Sequence, residues 1–299
     1  MERINLTNYR LNHLAKYKLS RNVVSTEARI YFYPQKTKWE TEMKVLKLFY
    51  RDLDEDRIRN IEFLNDNKED LSSIPSLVIP ESIVSYYGVD KGIVMPFINN
   101  SNLADILKFR DMDESVKINY LKKVGETLNE LSLLRKYNSK FKNFALSDLH
   151  EANIIVDSES NNIKIIDLDS AYTGNGISTS KYLTVNENLD IYGYNLSNKY
   201  PVNENDSFIP NEQTDLYCYH MMILNFLYGG NVASLSQDEF YYYLEYLYKL
   251  GANEDFLDSC LRLYINQENI NPKDFLDGLD KIAGRAHKNV YNANKGRIK

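Results

Sequence analysis

Three polar side chains, Asp148, Asn153 and Asp167, lie in the stretch FALSDLHEANIIVDSESNNIKIIDLDSA (144–171), around two apolar runs, IIV and IKII, that have the composition of buried strands. A strand end gains nothing from a carboxylate unless something compensates for the lost hydration. A metal ion and a phosphate supply that compensation. The segment IIVDSESNNIKII has the pattern of a hairpin that returns Asn153 and Asp167 to the same end, so that two oxygen donors converge. Hard divalent cations such as magnesium take oxygen ligands and keep coordination positions for phosphate and water. Asp148, five residues before Asn153, is placed to accept or orient the proton of an attacking hydroxyl.

The elements that must position these groups follow from periodicity. Residues 23–50 pattern as strands: VV, then ARIYFY, a proline-containing turn, and TEMKVLKLFY. LDEDRIRNIEFLND places acids in an opening turn and Ile58, Ile61 and Leu64 at spacings of three, a helix. SLVIPESIVSYYG and KGIVMPFI are strand-like, with the turn signal GVDKG between them. From about residue 99 the pattern is helical: SNLADILKF, then ESVKINYLKKVGETLNELSLLRKY with Val116, Tyr120, Val124, Leu128 and Leu131 along one side. A polar, Asn-rich stretch (173–212) precedes the helical TDLYCYHMMILNFLYGG. A strand-rich first third and a helical remainder imply two lobes joined near residues 96–100.

The 299 residues suffice for one large domain or two smaller lobes, and 43% hydrophobic with 26% charged residues is the balance of a soluble globular chain. The net charge of -6 argues against a broad grip on nucleic acid. Cys218 and Cys260 are too few for a metal-ligand cluster or a disulfide framework, and both fall in apolar helical patterns, as buried reduced thiols would. No run of about 18 apolar residues occurs and the start has no signal-peptide core, so no membrane association and a cytoplasmic location are expected. FYYYLEYLYKL (240–250) has the pattern of an amphipathic helix with a packed face, and residues 285–299 form a basic, aperiodic tail.

SDLHEAN followed by IKIIDLDSA resembles the catalytic and metal-binding loops of the protein-kinase-like superfamily, and the resemblance extends over about residues 20–280. It implies an α+β, bilobal fold: an antiparallel-sheet N-lobe with one main helix (1–97), a mostly helical C-lobe (98–284) and the tail. It assigns Lys47 in VLK to the nucleotide phosphates, Glu62 as its helix partner with Glu55 as the fallback, Asp148 as the catalytic carboxylate, and Asn153 and Asp167 as metal ligands. The phosphate-covering loop departs from the family: Val23, Ser25 and Ala28 stand where three glycines would, with Ile30 in the following valine place. Around the adenine, Val45 covers the ring, Met95 guards the rear, Pro96 offers a carbonyl and Ile98 an amide.

Leu146-Ser147 replaces the family's His-Arg, which removes the arginine that would hold a phosphorylated activation loop. His150 stands where protein kinases usually have lysine, as in aminoglycoside-phosphotransferase-like kinases, and would neutralise the transferring phosphate or hydrogen-bond within its loop. Asp169 replaces the metal-loop glycine and would stiffen the loop or add a carboxylate for the metals. Asp215 would hold catalytic-loop amides, the alternative being a plain helix cap at Thr214 or Asp215. FLDSCLRLYINQENINPKDFLDGL resembles the family's last helical pair, while Ala-Pro-Glu has no counterpart beyond Tyr200-Pro201. The resemblance thus implies an enzyme using ATP and magnesium, or manganese in its place, to phosphorylate Ser or Thr of a protein. The alternatives are a kinase for a small hydroxyl acceptor and a non-catalytic binding module. A monomer is the default, since no heptads are present.

Overall fold

In the strand ARIYFYPQK, alternate residues face opposite sides of a sheet, and the same alternation in TEMKVLKLF matches it, so the two pair and share two apolar faces. The computed structural model describes residues 1–14, 27–36, 41–99, 101–157, 160–174, 209–232, 235–249, 252 and 254–264. Ser25, Val23, Tyr200-Pro201 and the basic tail lie outside the described residues.

The element order is β1 (Glu2–Leu6), α1 (Asn8–Leu14), β2 (Ala28–Lys36), β3 (Thr41–Phe49), α2 (Glu55–Asp66), the single turn α3 (Lys68–Leu71), β4 (Ser82–Tyr86), β5 (Val89–Pro96), α4 (Leu103–Lys108), α5 (Glu114–Tyr137), β6 (Ile154–Asp157), β7 (Asn162–Ile165), α6 (Glu212–Tyr228), α7 (Gln237–Lys249) and α8 (Glu254–Tyr264). The chain is α+β. Two compact units divide it: residues 1–100 with 164–170, and 101–163 with 171–299. The first boundary falls three residues beyond the expected 97/98, and residues 164–170, expected in the C-lobe, belong to the first unit.

In that unit five strands form a mixed sheet in the order β1-β4-β5-β3-β2, with β1 parallel to β4 and the other pairs antiparallel. The β1 strand carries no strong sequence signal, because RINL is too short to show a period. Pro34 sits inside β2 rather than in a turn. Because β2 is an edge strand, a missing N–H there need not break the ladder. The turn between β4 and β5 is Tyr87-Gly88, not GVDKG: both have positive φ (53° and 80°), and Val89 onward is already strand.

One face of the sheet packs Leu6, Leu14, Tyr31, Tyr33, Leu46, Leu48, Val84 and Val94 together. The other gathers Ala28, Phe49, Leu53, Ile61, Val78, Ile83, Ile93 and Met95, with Ile30, Val45, Ile58 and Ile98 at its margin. Helix α2 docks on this second face through Ile58 and Ile61. Its start is set by Asp54, whose carboxylate accepts from the Arg57 amide at 2.7 Å.

The second unit is built on α5 and α6. Asp113 caps α5 and Asn211 caps α6, the latter in a reciprocal box with Thr214. Tyr120, Val124, Leu128 and Leu131 of α5 are buried as the spacing predicts, but Val116 is exposed because it lies in the first turn. The strands β6 and β7 form a separate two-stranded hairpin. Both cysteines are buried, and in α7 Phe240, Tyr243, Leu244 and Leu247 are buried while Tyr241, Tyr242 and Tyr248 face outward. Among the described residues no helix is long and apolar enough to cross a membrane.

Gly92 of β5 lies against the strand that carries Lys47: a Cβ added there would stand 2.8 Å from the Lys47 carbonyl oxygen, a backbone atom that cannot swing aside. Gly92→Ala is therefore expected to lower stability by about 1–3 kcal/mol in urea unfolding. A loss under about 0.5 kcal/mol would mean that β3 and β5 are not in this close register.

Candidate functional site

In β3, Val45, Lys47 and Phe49 point to the face that packs α2. Lys47 pairs across the sheet with Ile93 and Ile30, so its ammonium rises from an apolar floor. Only 5% of the residue is exposed. A lysine so placed needs anions, and two are present: Asp169 accepts from Nζ with both oxygens, at 3.1 and 3.3 Å, and Asp167 Oδ1 lies 3.2 Å away. Burial alone would push the Lys47 pKa down, but the charges of Asp169 and then Asp167 outweigh it and leave it raised. Partial burial and then the Asp169 charge push the Asp167 carboxyl up, against the opposing pull of Lys47.

These carboxylates are delivered by the segment after β7. It is fastened within the first unit by Ile165, whose amide donates to Ser76 O at 2.7 Å and whose carbonyl accepts from Val78 N at 3.0 Å. The chain then turns sharply at Asp167, which has a φ of 62°. A β-carbon disfavours that conformation, and in the described residues the other non-glycine positions with positive φ are two turn residues and Ser147, next to Asp148. Such outliers concentrate where geometry serves a function. Beyond the turn, the one-turn helix Leu168–Ser170 buries Asp169.

The expected pairing of Lys47 with Glu62 is not what forms. Glu62 accepts from Arg3 of β1 at 2.9 Å, and Arg3 also reaches Asp90 at 3.3 Å, so Glu62 fastens α2 to the first strand at the surface. The fallback, Glu55, is exposed and lies 3.7 Å from Arg59. What α2 turns toward the cluster is a cation: Arg57 Nε lies 3.9 Å from Asp169 Oδ2, and its guanidinium carbon 4.9 Å from the Phe49 ring, over which Lys47 Nζ also lies at 5.0 Å. Sequence reasoning missed Arg57, and for Asp169 it missed the pairing with Lys47. The available signal was a second acid two residues after Asp167, in a loop that must sit opposite a buried lysine.

The residues expected around a nucleotide are brought to one side. Ala28, Ile30, Val45, Met95 and Ile98 belong to the apolar group on the Lys47 face. Pro96, next to Met95, pairs with Lys44 at the end of β5. Phe32 and Phe97, edge to face at 5.0 Å, are aromatic neighbours of this set that the sequence reading did not single out.

In the second unit, Asp148, His150 and Asn153 come together. The Asn153 amide nitrogen donates to the Asp148 carbonyl and to its Oδ2, both at 3.0 Å, which leaves Oδ1 as the atom of that amide suited to a cation. His150 Nδ1 accepts from the Ala152 amide at 3.2 Å. In the neutral ring the proton therefore sits on Nε2, which is 3.6 Å from Asp148 Oδ1. His150 thus both caps the short helix Glu151–Asn153 and flanks the carboxylate.

Asp215 holds this loop. Its carboxylate accepts from the amides of Leu146 and Ser147 at 2.9 and 3.1 Å and from the Arg135 guanidinium at 3.0 Å, while Asn211 supplies the helix cap. Arg135 in turn donates to the Phe144 carbonyl at 2.7 Å. A backbone pair between Ala145 and Tyr172 completes the frame. No family model matches the chain, and no curated protein does.

Burial pushes the Asp215 carboxyl up to about 6, against the Arg135 charge and the two amides, which favour its ionised form. The folded chain then keeps this proton up to about pH 6, whereas the unfolded chain releases it near about pH 4. More protons are bound when folded, so this group's contribution to stability falls as pH rises through that window. Measured against Asp215→Asn, the stability of the unchanged protein is expected to fall by about 2 kcal/mol between roughly pH 4 and pH 6. A pH-independent difference would remove the buried titrating carboxyl.

Proposed function

We propose that this chain is a cytoplasmic, protein-kinase-like phosphotransferase that uses ATP with magnesium or manganese and phosphorylates Ser or Thr hydroxyls of a protein. The observation that carries it is the pairing of a buried strand lysine with a carboxylate at a left-handed turn: Lys47 Nζ lies 3.2 Å from Asp167 Oδ1. Strained backbone and buried titratable groups both cluster at functional sites.

The expected cation takes hard oxygen donors. Among the described residues no group of three or more His, Cys, Asp and Glu is arranged to hold a metal. The ligands that the resemblance implies are the Asp167 carboxylate of the first unit and the Asn153 amide oxygen of the second. Hard oxygens few in number suit a cation that keeps water and phosphate in its shell. Asp167 retains 31% side-chain exposure, enough to reach such an ion. Bound magnesium supplies charge neutralisation on phosphate oxygens.

The protein's own groups do the rest. Lys47, held over an apolar floor, offers its ammonium to phosphate oxygens. Ala28, Ile30, Val45 and Met95 supply a dry surface for a purine. Asp148, oriented by Asn153, accepts or aligns the acceptor's proton, and His150 adds a donor beside it. The absence of a loop arginine favours an enzyme that needs no activation-loop phosphate.

Transfer from γ-labelled ATP to protein in a lysate is expected for the unchanged chain. Asp148→Asn and Asp167→Asn should each reduce it by about a hundredfold or more. Labelling of small molecules only would redirect the reading to a small-acceptor kinase. ATP binding with no transfer in any fraction would make the chain a binding module.

A further inference from the structure

Lys47 faces two carboxylates that are not equivalent. Asp169 is 1% exposed at the side chain and meets Nζ with both oxygens. Asp167 is 31% exposed, meets it with one, and sits at the strained turn. An anion that must also bind a metal cannot serve as a fixed counter-charge, since the metal competes with the ammonium for it. The buried one can. On α2 there is no carboxylate in that place: Glu62 is engaged with Arg3, Glu55 faces solvent, and the helix contributes Arg57 instead.

Resting on the phosphotransferase reading, we propose that Asp169 is the positioning residue that anchors Lys47, leaving Asp167 for the metal. Arg57 braces that anchor from the other side. Its Nε approaches Asp169 at 3.9 Å, its Nη2 donates to Glu27 at 3.3 Å, and its guanidinium lies over Phe49. Glu27 stands immediately before β2. The chain of alternating charge, Lys47, Asp169, Arg57 and Glu27, thus links strand β3, the metal loop, helix α2 and the entry to β2. The usual arrangement of a helix anion opposite the strand cation is inverted: here the loop holds the anion and the helix a second cation.

Asp169→Asn keeps the shape of the side chain and removes its charge, and three readings separate its role. With Mg-ATP as substrate, kcat/KM should fall by at least about tenfold, while the magnesium concentration for half-maximal rate stays unchanged. Asp167→Asn should instead raise that concentration. In addition, acylation of Lys47 by an amine-directed reagent, mapped by peptide mass spectrometry, should run several-fold faster in Asp169→Asn than in the unchanged protein, because Nζ is no longer held.

A raised magnesium requirement in Asp169→Asn would overturn the proposal and make Asp169 a metal ligand. Unchanged Lys47 acylation would overturn it as well, whatever the activity. If the unchanged protein transfers no phosphate, the enzymatic reading fails, and the acylation rates alone then decide whether Asp169 holds Lys47. Should Asp169→Asn not fold, Arg57→Ala tests the same brace: faster Lys47 acylation supports it, and an unchanged rate overturns it.

Discussion

A lysine that stays charged with its ammonium out of water must be matched by anions at close range, or it gives up its proton. That requirement organises the first unit. Lys47 rises from β3 between Val45 and Phe49, and the segment 164–170 returns to this unit to supply Asp167 and Asp169. The hydrogen bonds of Ile165 to Ser76 and Val78 aim that segment, and Arg57 on α2 adds a balancing cation. Strand, loop and helix are held in one charge network in which Lys47 and Asp169 are desolvated while Asp167, Arg57 and Glu27 meet water.

The second unit solves a parallel problem with a different group. Asp215 is buried at the start of α6, and its four-way environment of two amides, one guanidinium and the helix N-terminus makes the segment 144–148 a fixed platform. Arg135, at the end of α5, brings a buried cation to this carboxylate. It grips the Phe144 carbonyl and the Asp215 carboxylate together. The Ser147 backbone accordingly adopts a φ of 69°, a conformation that two directed amide bonds can sustain.

Much of this was legible because it is local. The helices α2, α5 and α6 are announced by their apolar runs and, for α2, acids in the opening turn, whereas the caps themselves, Asp54, Asp113 and Asn211, were not singled out, and Asn211 rather than Thr214 or Asp215 caps α6. Ala28, Ile30, Val45 and Met95 share a face because strand parity dictates it. Local signals misplaced other features. Pro34 suggested a turn, but an edge strand accommodates it, and the Gly at each end of GVDKG concealed a tighter reversal at Tyr87-Gly88. The partner of Lys47 was misassigned because Glu62 has the right type and helical position, while Arg3, fifty-nine residues earlier, claims it.

By itself the sequence determined which residues are suited to chemistry and which strands and helices carry them, since side-chain type, spacing and capping act within a few residues. Tertiary structure alone decided the ion pairs. Asp169 rather than Glu62 faces Lys47, and Arg135 meets Asp215 across eighty residues of chain. The physical reason is that a buried charge is stabilised by whatever opposite charge folding brings within about 3–4 Å, and that proximity depends on how distant segments pack rather than on any period along the chain.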